Sequence, residues 1–386
     1  MRILHCLRAP VGGLFRHVVD LAREQISNGH QVGIIADATA GGAAADAIFA
    51  ALAPLLALGV TRVRMPRQIG VADYSALIAT QLLAARLSVD VLHGHGAKGG
   101  AYARLAASRL KRAGSTLKAF YTPHGGSLHF EPGTVQGTLF LGLESRLAAL
   151  SDGIIFESAY SERAYRDKVG VPQCPVRVIP NGLLPEDFAK VTPSSEACDV
   201  LFVGELRHLK GVDVLLEALA RIKAPHAPTA MMVGAGPDAE TFKAKAAELG
   251  LSERVTFPGA LPAANAFTLG RCIVVPSRAE SFPYIVLEAA AAGLPMLLTG
   301  VGGIPEITAG LPIPLLQPGD SAALAGQLQA FLADPAPLQA QAKALRAQVA
   351  ARYTVKNMAA DILDFYRSSV AAPSTEPTMA QFLRTG

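Results

Sequence analysis

The chain has 386 residues, 51% of them hydrophobic and 17% charged, with a net charge of +4. That composition supplies buried cores for about two domains, at roughly 100–200 residues each, and excludes a disordered chain. So small a charge, without any nucleic-acid motif, gives no ground for a nucleic-acid partner. Four cysteines without C-x-x-C spacing (Cys6, Cys174, Cys198, Cys272) read as thiols of a reduced, cytoplasmic setting.

In chain order, Arg2–Leu7 reads as a strand ending before Pro10, Gly12 and Gly13. Leu14–Asn28 has helical periodicity, Gly29 stops it, and His30–Ala36 is a second strand. Strand, glycine turn, helix, strand is the opening of a parallel α/β domain. Val89–His93, Lys118–Thr122, Gly153–Glu157 and Val176–Ile179 continue the strands. The polar, proline-containing stretch Pro185–Ala197 reads as a linker. A second series follows, with strands at Asp199–Val203, Ala230–Val233, Arg254–Phe257, Ile273–Val275 and Pro295–Leu298. Helices are expected at Val212–Ile222, Asp238–Leu249 and Tyr284–Ala292, then at Ser321–Leu332, Leu338–Ala351 and Asn357–Val370. The fold class is α/β, with two doubly wound domains and a ligand cleft at the carboxyl ends of their strands.

No signal peptide is read at the N-terminus. The apolar stretch Ala47–Thr61 contains Pro54 and Gly59, falls short of the ~20 residues of a spanning helix, and reads as a core or interfacial helix, the core favoured. No acidic residue occurs between Asp90 and Glu131, whereas Lys98, Arg104, Arg109, Lys111, Arg112 and Lys118 do. Two readings stand for this stretch: a basic face for an anionic lipid or phosphorylated acceptor, or a solvated helix face.

The most informative segment is ESFPYIVLEAAAAG at 280–293. Ser281, Phe282 and Pro283 form a strand-to-helix turn, with Pro283 suited to the first helical position. Amides at such a helix start accept phosphate, and Ser281, Phe282, Tyr284 and Ile285 keep theirs. Glu288, about one and a half turns inside, can hold the paired hydroxyls of a ribose. In VGELRHLKG at 203–211, Arg207 offers a planar fork and Lys210 a point charge where a diphosphate would sit.

Together with GGLFRHVVDLA at 12–22, FYTPHG at 120–125, VIPNGL at 178–183, GAGPD at 234–238, VTFPG at 255–259 and GLPMLLTGVGGIPE at 293–306, these segments resemble glycosyltransferase family 4 along nearly the whole chain. The resemblance implies a GT-B fold, two Rossmann-like domains facing across a cleft. The N-terminal, acceptor-side domain would span 1–190 and the nucleotide-sugar-binding domain 197–352. A terminal helix at 353–370 would pack back towards the first domain, and 371–386 would be a loose tail. Gly12 and Gly13 match the glycine loop approaching the donor phosphates, and His124 the histidine beside the transferred sugar. Arg207 and Lys210 match the diphosphate cations, Glu280 the glutamate near the sugar hydroxyls, and Glu288 the ribose ligand. Phe257 to Gly259 lie where the nucleobase is held. Two departures stand out: Glu205 occupies the usual position of an arginine, with Arg207 two residues on, and Pro283 replaces a frequent glycine and lacks an amide hydrogen.

The implied activity is retaining sugar transfer from a nucleoside-diphosphate sugar to a glycan or lipid-linked acceptor, in surface or exopolysaccharide synthesis. Peripheral contact with the cytoplasmic face of the inner membrane is left open. With no Asp-x-Asp pair anywhere, no metal and no other cofactor is expected, since Arg207 and Lys210 can carry the diphosphate charge. His93 and His95, two apart at a strand end, lack an evident third ligand and read as packing or loop residues. Two other readings are a sugar-nucleotide epimerase of the same architecture and a catalytically inactive nucleotide-sugar-binding protein. GAGPDA at 234–239 as a dinucleotide fingerprint is disfavoured, because the next strand ends in Pro258 and Gly259 rather than in an acidic residue. Donor base, sugar and acceptor are not legible.

Overall fold

The computed structural model describes residues 1–371 apart from Ala224 and His226. The tail expected over 371–386 lies outside the described residues beyond Ala371. The chain forms two compact units. Unit 1 comprises Met1–Ile155, Lys168–Arg177 and the chain from Ala359, and unit 2 comprises Phe156–Asp167 and Val178–Met358. The expected division at 190–197 is therefore displaced. Pro185–Ala197 is not a free linker but part of unit 2. Val191 N donates to Ala292 O (3.1 Å), Ser194 N to Thr268 O (2.9 Å), and Arg346 Nη2 to Phe188 O (2.7 Å).

In unit 1, β1 (Arg2–Leu7), α1 (Gly12–Ser27), β2 (Gln31–Asp37), α2 (Gly42–Leu52), β3 (Gly59–Val63), α3 (Val71–Arg86), β4 (Val91–His95), α4 (Gly96–Arg112), β5 (Lys118–Thr122) and α5 (Val135–Ala148) lead to β6 (Gly153–Phe156). Then follow α6 (Ala159–Lys168), in unit 2 up to Asp167, and β7 (Val176–Val178). Among the described residues seven strands run in the order β3-β2-β1-β4-β5-β6-β7. Every pair whose register is described is parallel. Alternation along β1 sends Leu4 and Cys6 to the core with Tyr102 and Ala106 of α4, and Leu7 to the core with Phe15 and Val18 of α1. Both faces are covered, as parallel sheets require.

One expectation fails here. Ala47–Thr61 is not one core or interfacial helix: it comprises the end of α2, a 3₁₀ turn at Ala53–Leu55 and the start of β3, because Pro54 and Gly59 (φ 72°) end helical geometry. In the basic stretch, four of the six cations meet carboxylates that the fold brings from elsewhere. Lys98 meets Asp73, and Lys111 and Lys118 meet Asp152. Arg104 is fully buried, donates to both carboxylate oxygens of Glu144 (2.6 and 3.1 Å) and lies 3.9 Å over the Tyr121 ring.

In unit 2, β8 (Cys198–Val203), α7 (Val212–Arg221), β9 (Ala230–Val233), α8 (Ala239–Glu248), β10 (Val255–Gly259), α9 (Ala263–Ala266), β11 (Gly270–Val275), α10 (Tyr284–Ala292) and β12 (Met296–Thr299) make a second open sheet. It is completed by α11 (Ile304–Ile307), β13 (Leu315–Leu316), α12 (Ser321–Ala333) and α13 (Ala336–Arg352). The last helix, α14 (Val355–Ala371), passes from unit 2 to unit 1 after Met358. Strand order is β10-β9-β8-β11-β12-β13. Val200, Phe202 and Val274 pack with α7, α8 and α12, whereas Leu201, Ile273 and Val275 pack with α10 and α13. Within unit 1, Phe365 and Tyr366 of α14 pack on Phe120 of β5.

The buried Arg104–Glu144 pair gives a test of unit 1. Glu144→Ala strands a guanidinium away from water and should cost about 3–5 kcal/mol, whereas replacing both partners with apolar residues should recover most of it. Equilibrium denaturation of the two variants reads this directly, and equal losses in both would contradict it.

Candidate functional site

In each sheet the strand order reverses beside the first strand, between β8 and β11 in unit 2 and between β1 and β4 in unit 1. Adjacent connections leave in opposite directions there and open a crevice at the strands' carboxyl ends. The chemistry found at the two reversals is different.

In unit 2, the turn after β8 and the turn after β11 meet. Lys210 Nζ donates to both oxygens of Glu280 (2.7 and 2.9 Å), and Ser277 Oγ donates to Glu280 Oε1 (2.7 Å). The Glu280 side chain is only 8% exposed. The turns are tied by backbone as well. Arg278 N donates to Leu209 O (2.8 Å), while Arg278 Nη1 donates to His208 O (2.7 Å) and both its terminal nitrogens to Asp213 (2.7 Å each). Burial would raise the Asp213 carboxyl, but the Arg278 guanidinium outweighs it and holds the group below its ordinary value. Gly211, at φ 70°, lies so close to Pro276 that a Cβ would fall 2.0 Å from the Pro276 carbonyl oxygen.

The loop after β9 buttresses the same turn. A Cβ on Gly234 would fall 1.8 Å from Gly204 O, and one on Gly236 would fall 2.3 Å from Leu206 O. Leu206 N donates to Ala235 O (3.0 Å), Asp238 N to Leu206 O (3.1 Å), and His208 N to Asp238 Oδ2 (2.7 Å). The GAGPD glycines thus serve contact with the neighbouring loop, a different use from a dinucleotide fingerprint.

The helix of the 280–293 segment is α10, with the bounds expected. Pro283 stands before the first helical residue rather than in it, at φ −74° and ψ 122°, because its backbone is still extended. Gly293, at φ 79°, ends the helix. Ser281 O accepts from Gly303 N (2.8 Å) and Ser158 Oγ (3.3 Å), and Phe282 O accepts from Asn181 Nδ2 (2.9 Å). The Phe282 and Tyr284 side chains are buried in the core, while Ile285 and Glu288 are half-buried on α10. With carbonyls and rings held this way, backbone amides are what the turn can present to a ligand. Phe257, in β10, packs against the α7–α8 core, and Gly259 O accepts from Gly234 N (2.9 Å). Arg207 does not join Lys210: it is 50% exposed, with Nη1 3.9 Å from Glu205, the residue in the family's arginine position. Ser277, Arg278 and Asp213 carried no sequence expectation. The arginine of P-S-R was legible only as one more surface cation, and its carboxylate partner lies 65 residues away. A cavity of about 670 Å³ lies at the opposite, amino ends of these strands, lined among others by Lys190, Asp199, Arg271, Lys343 and Arg346. It contains none of the expected site residues.

In unit 1, Gly12 and Gly13 open α1 and are exposed, with Gly12 at φ 62° and open space where its Cβ would be. His124 follows Pro123 beyond β5 at φ 49°, a strained value for a residue with a side chain. β4 extends to His95, so His93 and His95 share the α1 face of the sheet, where His5 of β1 and His17 of α1 join them. His5, His93 and His95 place ring nitrogens within 4.8 Å of one another, as do His17, His95 and His124. The third partner that seemed lacking for His93 and His95 is thus supplied by another strand. Burial holds the His5 ring down to about 4 and those of His93 and His95 well below the ordinary 6.5.

Two open parallel sheets, each with its polar side chains gathered at a strand-order reversal, define the class of two-domain Rossmann-like proteins. Among solved structures, sucrose-phosphate synthase from Thermosynechococcus elongatus matches with a TM-score of 0.78 at 23% identity, covering 96% of this chain and 99% of that one. HepE from Anabaena, in complex with UDP and glucose, matches with a TM-score of 0.78 at 20% identity, covering 95% and 100%. These are GT-B folds, and at such identities the likeness is one of fold. A family model described as Glycosyltransferase Family 4 matches residues 11–186, and one described as Glycosyl transferases group 1 matches 197–334. The chain belongs to this glycosyltransferase family. A curated relative, glycogen synthase of Mycobacterium tuberculosis (strain CDC 1551 / Oshkosh), is 29% identical over 231 residues, 58% of this chain and 56% of that protein. The chain thus spans little more than half the length of the curated relatives it matches.

The three uncharged rings predict a pH dependence. Above about 6.5 they are neutral folded and unfolded alike. As pH falls from about 6.5 towards 4, the unfolded chain binds protons that the folded rings refuse, so stability falls by up to about 1.4 kcal/mol per pH unit per ring. Urea unfolding across that range should show the decline. A stability that rose on acidification would contradict it.

Proposed function

We propose that this chain is a retaining glycosyltransferase that moves a sugar from a nucleoside-diphosphate sugar to a glycan or lipid-linked acceptor. The observation that carries the reading is the Lys210–Glu280 clasp at the strand-order reversal of unit 2, beside the amides at the start of α10. HepE, of the same fold, is described with UDP and glucose, which favours a uridine nucleotide as the first donor to try.

In this reading the diphosphate takes a place on the ammonium of Lys210, the α10 amides bind a phosphate, and Glu288 holds the ribose. Glu280 then holds both the lysine and the sugar hydroxyls. Arg207 swings from Glu205 to the diphosphate. The bond from the anomeric carbon to the phosphate oxygen breaks as the acceptor oxygen bonds on the same face, and the acceptor proton passes to the leaving phosphate. Charge grows on the diphosphate during this step, so fixed cations stabilise the transition state more than the ground state. Two side-chain cations make a divalent metal dispensable. The role of His124 beside the transferred sugar is assigned by the family resemblance alone.

A cytoplasmic enzyme of surface or exopolysaccharide synthesis fits an acceptor carried by lipid. No helix among the described residues is long and apolar enough to cross a membrane. Val135, Leu139 and Leu143, exposed at i, i+4 and i+8 of α5, support peripheral contact with the inner membrane better than the paired basic stretch does.

A thermal-shift screen of nucleoside diphosphates and their sugars should find a stabilising ligand. Turnover with that donor should persist in a chelator. Lys210→Ala and Arg207→Ala should each lower turnover by on the order of 10²-fold. Near-normal turnover in both variants would remove these cations from the step. Isomerisation of the donor without an acceptor would replace the reading with an epimerase, and a nucleotide-sugar shift with neither transfer nor isomerisation of the sugar would replace it with an inactive nucleotide-sugar-binding protein.

A further inference from the structure

We propose that Gln25, His5 and His95 are positioning residues that fix one tautomer of His124, with its proton on Nε2 pointing into unit 1 and the lone pair on Nδ1. The four side chains form one unbroken hydrogen-bond chain. Gln25 Oε1 lies 2.8 Å from His5 Nε2, His5 Nδ1 lies 3.0 Å from His95 Nε2, and His95 Nδ1 lies 3.1 Å from His124 Nε2. Gln25 and His5 are fully buried, and His95 is 1% exposed, so water does not supply alternative partners.

A neutral imidazole has one N–H and one lone pair. His5 and His95 each use both nitrogens in the chain, and burial keeps both rings uncharged. The direction of every proton is then set at one end. The amide oxygen of Gln25 can only accept, so His5 carries its proton on Nε2 and accepts at Nδ1. His95 must in turn donate from Nε2 and accept at Nδ1, and His124 must donate from Nε2. A side branch holds the array in place: Tyr366 Oη lies 2.6 Å from His93 Nδ1, His93 Nε2 lies 2.9 Å from Thr122 Oγ1, and the His93 ring centroid is 4.0 Å from that of His95. His17 abuts His124 edge-on at 4.8 Å. The left-handed backbone of His124, φ 49°, is sustained by this packing and by the chain of hydrogen bonds.

The consequence is that Nδ1 of His124 carries a lone pair and acts as a hydrogen-bond acceptor, so a hydroxyl brought to it is favoured over a carbonyl or phosphate oxygen. That kinetic consequence rests on the proposed sugar transfer, whereas the tautomer is a property of unit 1 alone.

Long-range ¹H–¹⁵N correlation spectra of the imidazoles of the full chain near neutral pH test it, with His5→Asn, His95→Asn and His124→Asn for assignment. His5, His95 and His124 should all carry Nε2–H. In Gln25→Met, of similar volume but without the anchoring oxygen, His124 should show both tautomers. Turnover should then fall about tenfold with KM little changed, a split that mere loss of stability would not give. An Nδ1–H on wild-type His124 would mean that the Gln25 amide presents its nitrogen and the chain runs the other way, and would overturn the proposal. So would a stoichiometric zinc ion in the purified protein that replaces these ring protons. Should the transferase assay fail while the spectra show the Nε2–H series, the proposed function falls and the tautomer assignment stands.

Discussion

The hold of one lysine on one glutamate, 70 residues apart in sequence, is the contact on which the account of unit 2 depends. A buried carboxylate is costly unless paired, and a lysine on a flexible stem is a poor fixed charge unless held. Each solves the other's difficulty. Held at Glu280 and kept in register by Arg278 and Asp213, the Lys210 ammonium is a cation placed in advance of any ligand. That placement is possible because β8 and β11 are neighbours with connections leaving in opposite directions, so their following turns face each other.

Backbone contact does the rest. Gly211, Gly234 and Gly236 let three loops approach to distances that side chains forbid, and the cationic turn gains rigidity from those approaches. Unit 1 uses the same topological feature with opposite electrostatics. Its reversal gathers rings joined by hydrogen bonds, of which burial keeps His5, His93 and His95 uncharged. One sheet presents charge, the other presents directed but uncharged donors and acceptors.

Much of this was legible in the residues. β5, β9 and α10 have the bounds expected, because each is a short apolar run closed by an unambiguous breaker such as Pro123, Gly234 or Gly293. Lys210 and Glu280 read from the sequence as candidate site residues, but not as partners, since nothing local tells a turn at 203–211 that it will meet one at 276–283. The same limit explains the basic stretch at 98–118, whose carboxylates Asp73, Glu144 and Asp152 all come from outside it. It also explains the histidines. The pair on β4 was visible, whereas His5 joins them only through the β1–β4 register, in which it lies opposite His93. Pro185–Ala197 looked like a linker because composition reports polarity and not the carbonyls and amides that tie a segment down.

The most direct measurement is a crystal structure with the nucleoside-diphosphate sugar that gives the largest thermal shift. The account predicts diphosphate oxygens about 3 Å from Lys210 Nζ and from backbone amides at the start of α10. A diphosphate bound elsewhere, such as in the cavity lined by Lys190, Arg271 and Arg346, with the Lys210–Glu280 contact undisturbed and the α10 amides untouched, would contradict it.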